Sequence, residues 1–154
     1  MDTMAPGRPI VKREQHIPLT AEPTAAAAAR SQIRALIDEW DVPVDPSVAV
    51  LLTSELVTNA IRHETGETVT VVVSFAWDEL RVDVHDTSWA MPLLMDVAAE
   101  AEAGRGLMLV ATLASDWGYY RTAAGKAVYF TIEFSVGLNE DHERALRGDR
   151  ARVR

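Results

Sequence analysis

Apolar positions recur along the chain at two spacings, and each spacing marks a kind of element. Ile33, Leu36, Ile37 and Trp40 stand at i, i+3, i+4 and i+7, one stripe of a helix. The alanine run at residues 25–29 favours the same helix. Thr20 and Pro23 read as its entry, a cap followed by a tolerated first-turn proline. Asp41-Val42-Pro43 ends it, and Asp45-Pro46 starts a second helix that runs to about Glu64, before Gly66. In that helix Ala49, Leu52, Leu56, Val57, Ala60 and Ile61 make a broad apolar arc. A third helix opens at Gly104-Arg105-Gly106 and carries Leu107, Val110, Ala111 and Ala114 on one face.

The other spacing is two. Val69, Val71, Val73 and Phe75 alternate with Thr70, Val72 and Ser74, and Leu80, Val82 and Val84 alternate with Arg81, Asp83 and His85. Residues 76–79 link these strands as a hairpin. Two further strands, about 117–121 and 127–134, are joined by a turn that contains Gly125 and Lys126. Residues 10–19 add an edge strand at the front. The order (β)-α-α-β-β-loop-α-β-β predicts an α+β fold, a two-layer sandwich with a mainly antiparallel sheet and helices on one face. The clean alternation excludes a parallel sheet buried on both sides. Residues 1–9 read as a tail, 10–136 as one domain and 137–154 as a charged tail. Within the domain, residues 87–103 form a long loop, a kind usually functional.

Composition narrows the chemistry. At 154 residues and 48% hydrophobic content the chain fits one globular domain. Its net charge of −8 repels phosphate backbones, so direct nucleic-acid binding is not expected. The absence of cysteine excludes thiol catalysis, Cys-ligated zinc and disulfides, and fits a cytoplasmic location. No signal core opens the chain and no apolar run reaches the length of a membrane helix. The four tryptophans read as packing residues, with Trp89 in the loop as the exception.

Three features carry chemistry. Glu55, Asn59 and His63 stand at i, i+4 and i+8 and stack along one side of the second helix. Such a row is either a solvated face or a place where a carboxylate and an amide oxygen organise a hard cation and a water. Asp86 shares parity with Leu80, Val82 and Val84. It is either an inward carboxylate that demands a donor, such as the amino group of adenine, or the start of a turn with Thr87 and Ser88. Gly104-Arg105-Gly106 at a helix entry is either a phosphate seat or a plain loop.

Together, the helix Ser54-Glu55-Leu56-Val57-Thr58-Asn59-Ala60-Ile61-Arg62-His63, then Val84-His85-Asp86, Gly104-Arg105-Gly106-Leu107 and Gly125-Lys126-Ala127-Val128-Tyr129-Phe130 resemble the histidine-kinase-like (GHKL) ATPases, in the branch of bacterial anti-sigma factors and serine-protein kinases. The resemblance covers about residues 10–134. It implies a Bergerat-type fold with an ATP site between sheet and helices. Asn59 would then coordinate Mg²⁺, Glu55 would act as base or water-orienting acid, and Asp86 would bind the adenine amino group. Residues 87–103 would be a lid, Gly104, Arg105, Gly106 and Leu107 would hold phosphates, and Arg62 and His63 would line the edge. The implied partners are an anti-sigma-antagonist protein or a sigma factor, with a homodimer as a further possibility. The implied reaction is phosphorylation of a serine or threonine on the antagonist. Two departures, Asp86-Thr87-Ser88 in place of Asp-x-Gly and Ala127 in place of threonine, motivate the alternative of a binding module without phosphotransfer.

Overall fold

The computed structural model describes residues 11–63, 67–89 and 101–134. The expected tails, and residues 90–100 of the expected lid, lie outside the described residues. Five strands and three helices follow one another as β1 (Val11–Thr20), α1 (Ala25–Trp40), α2 (Pro46–His63), β2 (Thr68–Ala76), β3 (Glu79–Asp86), α3 (Ala101–Leu113), β4 (Asp116–Arg121) and β5 (Lys126–Glu133). The sheet order is β1-β2-β3-β5-β4, and every pairing is antiparallel. This is the α+β two-layer architecture that the element order predicts.

Alternation decides which sheet face is covered. Val69, Val71 and Val73 of β2, Leu80, Val82 and Val84 of β3, and Val128 and Phe130 of β5 are buried on one face. They meet Ala29, Ile33, Leu36 and Ile37 of α1, Leu52, Leu56 and Val57 of α2, and Leu107 and Val110 of α3 in a continuous core. Each such valine or leucine contributes about 1.5–3 kcal/mol relative to exposure. On α3 the expected face is narrower, because Ala111 is exposed.

Helix starts differ from the sequence expectation. Thr20 does not cap α1; it ends β1, paired with Thr68, and the helix begins after Thr24. The α1 terminus is as expected: Asp41 takes a left-handed conformation (φ 56) and the Val42 N–H donates to Ile37 O at 3.0 Å. At the start of α2 the Asp45 carboxylate accepts the Ser47 N–H at 2.9 Å, a cap ahead of Pro46. The third helix starts at Ala101, so Gly104 and Gly106 lie inside it rather than at its entry. Trp77, read as a packing residue, is exposed, as is Trp89.

Candidate functional site

The inner end of β3 and the facing sides of α2 and α3 hold most of the residues singled out from the sequence. Asn59 of α2 is 8% exposed. Its Oδ1 has no hydrogen-bond partner among the described residues. A buried amide oxygen without a donor is costly. It is also the kind of hard oxygen that Mg²⁺ accepts, since that ion keeps its waters and needs few protein ligands. On this observation the residues fit the ion.

One turn earlier, Glu55 is half-buried against α3. A Cβ built on Gly106 would meet Glu55 Oε1 at 2.5 Å, so the glycine makes the notch in which this carboxylate rests. Leu107 beside it is buried in the core. Arg62 is exposed near the C-terminal end of α2, and His63 closes that helix. Gly104 and Arg105 belong to the first turns of α3. The side chains of His63 and Arg105 lie outside the described residues.

The strand does not stop at Val84 or His85: Asp86 is the last residue of β3, and a turn follows it. Its carboxylate faces inward, and its Oδ1 accepts the Ser88 N–H at 2.9 Å to form a turn. What the sequence reading missed is its partner. Lys126, expected in a turn, is the first residue of β5 and stands opposite Asp86 in the sheet register. Its Nζ donates to Asp86 Oδ1 at 3.0 Å and Oδ2 at 2.9 Å. Both side chains are 1% exposed. The signal was available, because Lys126 shares parity with Val128 and Phe130. Gly125 fixes the approach: a Cβ there would strike Asp86 O and come within 2.6 Å of Thr87 Cα.

The outer sheet face holds a second acid. Asp83 accepts Arg81 Nε at 2.8 Å and Tyr120 Oη at 2.8 Å, and the Arg81 guanidinium lies 4.0 Å from the centre of the Tyr129 ring. Burial, aided by the bond to Asp83, pushes the Tyr120 phenol up to about 12. Burial alone would lower the Arg81 guanidinium; the Asp83 carboxylate outweighs it and the net shift is upward. A hollow of about 330 Å³ opens on this face, and another of about 850 Å³ lies between α1 and the start of α2. Neither reaches Asp86, whose carboxylate is closed over.

The family model of the histidine kinase-like ATPase domain matches residues 19–132. The chain belongs to this family, the one its motifs resemble. Its fold is similar to that in the crystal structure of the RsbU and RsbW domains of Rv1364c from Mycobacterium tuberculosis, with a TM-score of 0.57 and 24% identity. That likeness covers 79% of this chain and 32% of the other, so the chain spans about a third of the solved protein. A search of curated proteins found no match. Among the described residues no helix is long and apolar enough to cross a membrane.

Proposed function

We propose that the chain binds Mg·ATP and transfers the γ-phosphoryl group to a serine or threonine of a protein antagonist, as a partner-switching regulator related to the RsbW domain. The observation that carries this reading is the buried, unpartnered Asn59 Oδ1, one turn from a Glu55 carboxylate seated against Gly106. Family membership supports nucleotide binding. The RsbU–RsbW neighbour supports a protein partner.

In this reading Asn59 holds Mg²⁺, which supplies neutralisation of phosphate charge when bound. Asp86 accepts the adenine amino group. Gly104, Arg105, Gly106 and Leu107 take the phosphates. Glycine is about 1 kcal/mol less favourable than alanine in a helix, so two of them make this end of α3 easy to unwind. Unwinding frees backbone N–H groups for an anion. Residues 87–103 act as a lid, and Arg62 and His63 border the site. Glu55 accepts the proton of the attacking hydroxyl. The hydroxyl oxygen bonds to the γ-phosphorus, the bond to the β,γ-bridging oxygen breaks, and ADP leaves. Position and charge do most of the work in such a transfer.

The test is incubation with γ-labelled ATP and a cognate antagonist. Wild type is expected to label it, and Glu55→Gln to slow labelling by roughly 10²–10⁴-fold with nucleotide affinity little changed. Binding of ATP with no transfer to any antagonist would contradict the kinase assignment. It would favour the second reading, a module that sequesters a sigma factor or antagonist without turnover. The closed Asp86–Lys126 pair, together with Ala127 and Thr87-Ser88, supports that second reading.

A further inference from the structure

We propose that Lys126 reads the base in this nucleotide site, its ammonium donating to the ring nitrogen beside the amino group that Asp86 accepts. The inference rests on the assignment of Asp86 above and adds a residue and a selectivity to it.

A carboxylate offers about four lone-pair positions and an ammonium three N–H donors. Asp86 Oδ1 already accepts from Ser88 N and Lys126 Nζ, and Oδ2 accepts from Lys126 Nζ at 2.9 Å. One acceptor position is left on Oδ2. One donor is left on Nζ. Adenine presents the complement in the same order, an amino donor at position 6 and an acceptor at N1. Hypoxanthine and guanine present an oxo group and N1–H, which set acceptor against acceptor and donor against donor. Cytosine has the adenine order on a smaller ring. In this orientation the edge favours amino bases, and an oxo base would have to reverse, with its oxo group on the ammonium and its N1–H on the carboxylate.

The lysine stays when the base arrives. A neutral amine bonded to a carboxylate is worth roughly ten- to a hundredfold in an equilibrium constant. Parting a buried ion pair costs on the order of a hundred- to several-thousandfold. An adenine amino group cannot displace the ammonium and must add to the pair. Entry requires the cover over the carboxylate to move, because both side chains are 1% exposed. Ser88 is tied to Asp86 by one bond from a neutral N–H, whereas Lys126 is tied by two charged ones.

The test uses the full chain, magnesium and three triphosphates in equilibrium titrations: ATP, 1-deaza-ATP, which lacks N1, and purine riboside triphosphate, which lacks the amino group. Wild type is expected to bind ATP at least about tenfold more tightly than 1-deaza-ATP. Lys126→Met is expected to bind the two alike. Should that variant fail to fold, the wild-type comparison decides alone. Equal wild-type affinities for ATP and 1-deaza-ATP overturn the role of Lys126. If purine riboside triphosphate still binds more weakly than ATP in that case, the assignment of Asp86 survives. If neither deletion matters, or ATP does not bind, both assignments fall.

Discussion

Asp83 and Asp86 stand three residues apart on β3 and face opposite sides of the sheet. Both are buried and both are held by a cation, yet the two sites differ in kind. Asp83 is served by Arg81 from its own strand and by Tyr120 from β4, and Arg81 remains about a third exposed. Asp86 is served by one lysine from β5, and neither side chain reaches water. An ion pair that keeps contact with solvent is worth little and can be lost cheaply. A fully buried pair is hard to part, because the survivor is left charged in a poor medium. The outer arrangement reads as surface structure on the uncovered face of the sheet. The inner one concentrates unused hydrogen-bonding capacity within the ATPase domain fold.

The sharpest way to break this contrast is Lys126→Met, which leaves the Asp86 carboxylate without its partner. Urea unfolding is expected to show a loss of about 3–5 kcal/mol, and the double change Asp86→Leu with Lys126→Met to recover most of it. A smaller effect comes from Gly125→Ala, where the new methyl meets the backbone of Asp86 and Thr87. A loss of about 1–3 kcal/mol in the same assay is expected, and none would mean that the close approach is not enforced. Arg81→Met on the outer face is expected to cost only about 1 kcal/mol, and less in high salt. A cost equal to that of Lys126→Met would erase the distinction between the two faces.

A separate effect on the same face is a pH dependence. Burial, and its bond to Asp83, raise the Tyr120 phenol from its ordinary value to about 12. The folded state therefore holds this proton more tightly than the unfolded chain does. The resulting stability is full below pH 10 and is lost as pH rises toward 12. Ultraviolet titration of wild type against Tyr120→Phe reads this directly. A wild-type phenol ionising near pH 10 would remove the link to Asp83.

Much of this was legible in the chain. Period-two alternation in β2 and β3 gave the covered face, and parity placed Asp86 on it. Periodicity in α1 and α2 gave the helices that cover it. Element starts were less legible for a physical reason: local signals compete. Thr20 looks like a cap, but pairing with Thr68 keeps it in the sheet. Gly104 looks like a helix entry, but Ala101, Glu102 and Ala103 have high helix propensity and α3 starts ahead of it. Lys126 was hidden by the glycine before it. A lysine after glycine reads as a turn residue; its parity with Val128 and Phe130 points it inward, and the antiparallel register with β3 adds that it meets Asp86. The notch at Gly106 was likewise invisible, since it depends on how α3 crosses α2.

The most direct measurement is calorimetric titration of the wild-type chain, with magnesium, by ATP and by purine riboside triphosphate. Recognition of the amino group by the inward carboxylate predicts that ATP binds at least about tenfold more tightly. Equal affinities, or no heat from either, would contradict it.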